Sequence, residues 1–363
     1  MKLTREGCRQ RQQRLVEVLE ERGLDGAVIS RREHVYYFTG FLHHRYHAAA
    51  ALVARSGQVV LVGDGVVAEE VAADEVIPYA AGRFATMHST QHEEVAAKLA
   101  PARRAGARLG ADLGGGIACI AALAGPGAVD LTREVYRLRK RKLPDEVAAL
   151  RATIAVTEAL YAAARQAVAP GADELELFAH LRQVATRAAG GDLEHLGNDF
   201  RANDLGGLPR RRAMVAGELY ILDAGPSLDG YFADNCRTFA VDGAPTEAQL
   251  QAWTRIDGLF AEIEAAVRPG VRAAEVFALA HGRLSGGGFR GLIHHLGHGM
   301  GLAPHEAPEL NPEYEAVFEV GDVFTMEPGL YADQLRAGIR LEENYLLTEG
   351  GPERLTSFPR TLV

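Results

Sequence analysis

Cysteine is scarce. Cys8, Cys119 and Cys236 are the three in 363 residues, far apart and forming no C-x-x-C pair, so neither a disulfide framework nor a zinc–thiolate centre is expected, and all three read as small buried hydrophobes. Long apolar runs are missing too. None approaches the roughly 18 residues of a membrane span, and the opening Met1-Lys2-Leu3-Thr4-Arg5-Glu6 turns polar at once instead of entering an apolar signal segment. No membrane partner is therefore expected, and the expected location is the cytoplasm. Positive charge is in deficit, with 39 Lys and Arg against 48 Asp and Glu and a net charge of −9. Such a balance disfavours nucleic acid and anionic lipid as partners.

What is present is ordinary globular composition, 47% hydrophobic and 24% charged, in a chain longer than a single core usually serves; two domains are predicted. Residues 1–141 alternate helix and strand patterns: a polar helix to about Gly23, apolar strands at 26–29, 49–53, 59–62, 76–79 and 108–113, and a helix over 93–99. That is an α/β pattern. Gly114-Gly115-Gly116 lacks the context of a dinucleotide or Walker loop and reads as a turn. His43, His44 and His47, with no carboxylate or cysteine beside them, read as a polar loop. The basic run 137–142 closes at Leu143-Pro144, and proline followed by Asp145 and Glu146 starts a helix. The boundary is placed there.

Residues 142–363 carry longer elements. A helix with the stripe Val147, Leu150, Ile154 and Leu160 comes first, and capping boxes at Asp173 and Thr246 open two more, the latter with Leu250, Trp253, Phe260, Ile263 and Val267 on one face. Strand patterns occupy 219–223, 231–241, 320–326 and 338–347. Helices grouped apart from hairpin-linked strands imply an α+β domain with an antiparallel sheet.

The chemistry gathers around Gly297-His298-Gly299-Met300-Gly301-Leu302-Ala303-Pro304-His305-Glu306, two imidazoles in a glycine-rich run that lets backbone approach a ligand. Asp223 ends one apolar strand, and Asp234 lies on the next, after the tight-turn sequence Ser227-Leu228-Asp229-Gly230, so a hairpin sets the two aspartates side by side. Glu327 ends the apolar run 323–326, and Glu342 follows 339–341. Four carboxylates buried together repel and are costly without compensation. Two divalent ions held by Asp223, Asp234, His298, Glu327 and Glu342 resolve that charge, and oxygen-rich ligation with one imidazole suits Mn, Co, Fe or Zn. Arg340, two residues from Glu342 and hence on the same strand face, is a candidate partner for a ligating carboxylate.

Five motifs in order, L-D-A-G at 222–225, G-Y-x-x-D-x-x-R-T-F at 230–239, G-H-G-M-G at 297–301, M-E-P-G-L-Y at 326–331 and G-I-R-L-E at 338–342, resemble those of the pita-bread metallopeptidase family. That family includes aminopeptidase P, prolidase, methionine aminopeptidase and the metal-free relative creatinase, and residues 24–41 are similar to the creatinase-type N-terminal domain. The resemblance implies a creatinase-like α/β domain over 1–141, a pita-bread α+β catalytic domain over 142–363, and a homodimer. It implies a hydrolase of amide C–N bonds, foremost an Xaa-Pro dipeptidase or aminopeptidase P, in which a hydroxide bridging two metal ions attacks the bond before proline. Glu327 would also shuttle a proton to the leaving nitrogen, and His305 would hydrogen-bond the substrate or the tetrahedral oxyanion.

One departure stands out. The family's peptidases carry a further substrate-contacting histidine ahead of the first aspartate ligand, where this chain has Leu205 and Gly206, and no histidine lies between Phe200 and Asp223. Either the partner subunit's His43, the partner subunit's His44 or the partner subunit's His47 reaches the pocket, or the substrate is a small non-peptide amide or amidine, as for creatinase-like or ectoine-hydrolase-like enzymes. In the second case Arg201 and Arg210 to Arg212, near the empty position, could pair with a carboxylated substrate. A non-catalytic binding module on the same fold is a further alternative, weighed down by the five retained ligands. His294 and His295 read as structural groups or supports behind the ligands, and His34, His88, His92, His180 and His281 as ordinary surface or helix residues.

Overall fold

Thr4 accepts the backbone N–H of Gly7 at 3.0 Å and opens the helix Arg5–Arg22, which stops where Gly23 turns left-handed at φ 62°. The computed structural model describes residues 2–114 and 118–362, with Ala118 and Cys119 described by backbone alone. The glycine turn expected at Gly115-Gly116 and the burial expected of Cys119 lie outside those residues. The chain divides into two units, Met1–Arg139 and Lys140–Val363.

The first unit is built on a six-stranded mixed sheet in the order Glu75–Pro78, Val59–Gly63, Ala49–Ala54, Gly26–Ile29, Leu109–Ala111 and Val129–Asp130. Gly26–Ile29 is buried along its whole length, which is why its sequence reads as an unbroken apolar run and not as an alternation. Val28, Leu52, Val60 and Val62 share one core with Val95 and Leu99 of the helix Gln91–Leu99. The helix Arg32–Thr39, like Thr132–Lys140 and Ala273–Leu284 further along the chain, has no counterpart in the sequence reading. Inside it His34 is no surface residue: it is fully buried, with Nδ1 2.9 Å from Asp112 and Nε2 3.0 Å from Arg139. Arginine can only donate, so Nε2 accepts and Nδ1 carries the proton given to Asp112. His43 is also buried, its Nδ1 3.1 Å from the His44 carbonyl, so the histidine-rich loop is only partly a solvated one.

In the second unit the helix Pro144–Ala167 begins with proline in its first turn and with Glu146 accepting the Leu143 N–H at 2.9 Å. At 24 residues it is long and apolar enough on average to cross a bilayer, contrary to the expectation that no such run exists. Leu150, Ile154, Leu160 and Ala164 are nonetheless buried, and Arg151 and Glu158 make surface contacts, the pattern of a core helix. The helix Glu174–Ala189 is capped by Asp173, and Thr246 and Gln249 cap the helix Glu247–Ala266 reciprocally at 3.3 and 2.8 Å. Leu250, expected on its buried face, is 45% exposed.

The strands of this unit pair antiparallel. Asn235–Ala240, Leu219–Ala224 and Asp199–Ala202 form one sheet; Glu306–Leu310, Gly297–Gly299, Val323–Met326, Glu343–Thr348 and Gly351–Arg354 form another. Two of the expected strands are each broken in two. The pattern at 231–241 splits into Tyr231–Phe232, paired with Ser227–Leu228, and Asn235–Ala240; that at 338–347 splits into Ala337–Arg340, paired with Gly329–Ala332, and Glu343–Thr348. Both breaks matter below. Asp229 (φ 49°) and Gly230 (φ 81°) are both left-handed, as a two-residue hairpin turn requires.

Candidate metal centre

Asp223 sits on the central strand of the three-stranded sheet, opposite Cys236 on one side and Asp199 on the other. Asp234 occupies the break before Asn235, and Glu342 the break after Arg340. In each break the chain leaves a two-stranded ribbon and joins a sheet, which turns the carboxylate inward where a continuous strand would have alternated it. The second break is fastened across the sheets: the Glu342 N–H donates to the Cys236 carbonyl at 3.0 Å, while Asn235 Nδ2 and Arg237 Nη1 both donate to the Glu342 carbonyl at 2.5 Å. Glu327 follows Val323–Met326 just before the chain turns into the ribbon, its N–H on the Leu296 carbonyl at 2.7 Å.

His298 lies on Gly297–Gly299 between two strands that leave no room for side chains at its neighbours. A Cβ at Gly297 would stand 2.1 Å from the Thr325 carbonyl oxygen, and one at Gly299 2.0 Å from that of Ala307. Its Nδ1 is 3.0 Å from the Gly299 carbonyl, which fixes the proton there and points the Nε2 lone pair at Asp234 (3.6 Å) and Glu327 (3.5 Å). The His305 ring stacks on that of His298 at 3.7 Å. Its loop is anchored by the next residue, Glu306, which is buried, accepts the Ala303 N–H at 2.8 Å and lies 3.5 Å from the buried Lys142 ammonium.

These groups line one cavity of about 210 Å³, together with Asn198, Asp199, His294, His295 and Arg340. Ligand atoms of Asp223, Asp234 and Glu342 lie within 4.8 Å of one another, as do those of His298, Glu327 and Glu342, and those of Asp234, His298 and His305. Both oxygens of Glu342 are buried and lack a hydrogen-bond donor among the described residues. An ionised carboxylate in that state is prohibitively costly, so the donor set fits divalent cations. Burial drives Asp234 and Glu342 well above the usual carboxylate range; the charges of Asp223 and Glu327 add to both, and that of Asp234 adds to Glu342. It raises Asp223 as well, against the pull of Arg340. Glu327 goes the other way. Burial opposes its ionisation, but the contact with His295, 3.2 Å away, and the charges of His295 and His298 bring it down to about 2. Burial depresses His298 to about 4, so the imidazole is neutral and free to ligate at neutral pH.

The arginine assignments need correction. Arg340 does partner a site carboxylate, but its strand ends at Arg340 itself, so the shared-face argument with Glu342 fails. Its Nη2 instead donates to Asp223 at 2.6 Å and to Asp199, and its Nη1 to the Tyr331 hydroxyl at 3.2 Å. Arg201 and Arg210 do not line the cavity. Arg210 is spent on the buried Glu174 carboxylate (2.7 and 3.0 Å) and on Asp204, and Arg201 on the Leu208 carbonyl and Asp204. His44 and His47 have their rings 5.0 Å apart in the first unit, with His47 Nδ1 3.1 Å from Asp64, and neither they nor His43 joins a metal-ligating cluster among the described residues. His294 and His295 do line the cavity, with His294 Nε2 2.9 Å from the Tyr331 hydroxyl. Asp199 and Asn198 were missed. Nothing in their local sequence marks them, since only the pairing of Asp199–Ala202 with Leu219–Ala224 brings them to the site.

Comparison with known proteins gives residues 148–349 as a match to metallopeptidase family M24 and residues 11–141 as a match to the creatinase/prolidase N-terminal domain. A putative dipeptidase of Bacillus subtilis is 32% identical over 43% of this chain and 43% of its own. A Xaa-Pro dipeptidase of Pyrococcus furiosus is 34% identical over 43% of this chain and 45% of its own. Each match thus spans under half the relative's length. The crystal structure of the prolidase from Pyrococcus horikoshii OT3 superposes with a TM-score of 0.81 at 22% identity, over 98% of this chain and 100% of that one.

Proposed function

Because the chain belongs to metallopeptidase family M24, with the pita-bread fold and a creatinase-type N-terminal domain, we propose that this hydrolytic enzyme cleaves the amide bond before proline in small peptides, as an Xaa-Pro dipeptidase or aminopeptidase P does. The observation that carries the reading is Glu342, whose two buried, donorless oxygens face Asp223, Asp234 and Glu327 in one cavity with His298. Asp223, Asp234, His298, Glu327 and Glu342 would hold two divalent ions, drawn from Mn, Co, Zn or Fe by the chemistry of the donors. When bound, such ions supply Lewis acidity that activates water and polarises an amide carbonyl.

The protein's own groups do the rest. Glu327, ionised at neutral pH, accepts the proton of the attacking water and passes it to the leaving nitrogen, which in an Xaa-Pro bond carries no hydrogen of its own. His305, exposed at the cavity and stacked on His298, donates to the oxygen on which negative charge develops. A cytoplasmic homodimer is part of the same proposal, and size-exclusion chromatography with light scattering tests the assembly.

The decisive experiment is a release assay with Xaa-Pro dipeptides and longer Xaa-Pro peptides on protein loaded with Mn or Co. Turnover of either class supports the reading. If fully metallated protein turns over neither, the substrate is instead a small non-peptide amide or amidine. One observation favours that alternative: the two places counted for the family's additional histidine hold no imidazole, Leu205 being 53% exposed and Gly206, at φ 151°, packing against the Asp199 carboxylate.

A further inference from the structure

Lys142 closes the basic run 137–142, yet its ammonium is not solvated. It is buried and makes no hydrogen bond among the described residues. The acid beside it is Glu306, equally buried, with Oε2 3.5 Å from Nζ. A buried ion pair is a poor source of stability, because the cost of desolvating both charges offsets most of their attraction. What it can supply is position.

Glu306 directly follows His305. It pairs with Gly299 where the ladder slips between His298 and Gly299, and residues 300–305 loop out between the two strands. The loop is tied at its entry, where the Met300 N–H donates to the Val323 carbonyl at 3.1 Å and the Gly301 carbonyl accepts the Phe232 N–H at 2.8 Å. Beyond that its backbone bonds only to itself, from the Gly301 N–H to the Ala303 carbonyl at 3.2 Å, and the His305 ring makes no hydrogen bond among the described residues. The Glu306 carboxylate closes it. Oε1 accepts the Ala303 N–H at 2.8 Å, and a Cβ at Gly301 would stand 2.9 Å from the same oxygen. With Lys142 on Oε2, the carboxylate is fixed at both oxygens, and the loop it closes lays the His305 ring on that of His298 at 3.7 Å and 9°.

We infer that Lys142 is a positioning residue for the reaction: through Glu306 it holds His305 over His298, at the place where His305 meets the substrate. This rests on the role given to His305 above. The test uses metal-loaded full-length protein carrying Lys142→Met, alone and combined with His305→Ala. Lys142→Met should lower kcat for an Xaa-Pro peptide about ten- to a hundredfold, with KM and metal content near those of the parent protein. The combined variant should be no slower than His305→Ala alone, because both changes act through one imidazole. A second readout needs no turnover. In zinc-loaded protein the His305 ring-proton resonances, assigned by their loss in His305→Ala, carry the ring-current shift of the stack on His298, and Lys142→Met should move them towards the position of free histidine. If Lys142→Met strands Glu306 and fails to fold, Lys142→Met with Glu306→Gln removes both charges, and the same fall in kcat and the same movement are expected of it. Unchanged kcat, unmoved resonances, lost metal, or a combined variant slower than His305→Ala each overturns the inference. If the wild-type protein turns over no Xaa-Pro peptide, the peptidase reading fails and the resonances decide this inference alone.

Discussion

At the scale of single residues the site is a problem of charge, and its solution is testable one side chain at a time. Asp234 stands in two of the candidate ligand clusters, with Asp223 and Glu342 in one and with His298 and His305 in the other. Elemental analysis of purified protein should find up to two divalent ions per chain, and Asp234→Ala should lose them together. Retention of both ions would remove Asp234 from the ligand set. His305 makes the opposite prediction: placed to stabilise developing charge, its change to Ala should lower kcat by about 10² to 10³ while metal content stays the same. A fall in metal content would make its stacking on His298, at 3.7 Å, a support for that ligand instead. Residue-level reading reached the five candidate ligands, which the fold gathers in one cavity, because each stands in a distinctive motif. It missed Asp199 because a single acid earns its meaning only from the strand that registers it opposite Asp223. It misjudged Arg201 and Arg210 because nothing in sequence marks Glu174 and Asp204 as their partners.

At the scale of elements, the sequence patterns found the strands but not their interruptions. Hydrophobic alternation runs through Asp234 and Glu342 because apolar residues flank both breaks, and a change of partner sheet leaves no mark on periodicity. The helix Arg32–Thr39 escaped for a related reason: Val35, Tyr36, Tyr37 and Phe38 are all buried, and a short element apolar on every side has no period to read. Glycine was more legible. The run around His298 was expected to permit close approach, and the atoms approached are backbone carbonyls of the flanking strands. Gly299→Ala should therefore destabilise the protein by about 1 to 3 kcal/mol or more through overpacking, seen as a lower thermal midpoint, and should weaken metal binding because the strand that moves carries His298. A variant with unchanged midpoint and metal content would mean that the five-stranded sheet yields more readily than its spacing implies.

At the scale of the whole molecule, two sets of buried titratable groups respond to acid in opposite senses once metal is removed. In Lys140–Val363, Asp223, Asp234 and Glu342 have folded-state pKa values raised above their unfolded ones, chiefly by burial. Their contribution to stability is fully present below the unfolded carboxylate value and is lost as pH rises through the raised values, because each must then ionise in a buried cluster. Cations bind the ionised form and reverse that cost. Metal-stripped protein should therefore melt at progressively lower temperature as pH is raised from 5 to 8, and the gain in melting temperature on adding Mn or Co should widen over the same range. In Met1–Arg139 burial depresses His43 from 6.5 to about 4. Its contribution, of order 3 kcal/mol at most, is present above the unfolded value and is lost as pH falls through about 4. A His43→Leu variant should flatten that acid limb while leaving the metal-dependent widening intact, since His43 belongs to the other unit and to none of the ligand clusters. Scanning calorimetry of the two proteins, with and without metal, separates the effects. If the gain from metal failed to grow with pH, the carboxylates would not be exchanging protons for cations, and the charge argument for the centre would fail.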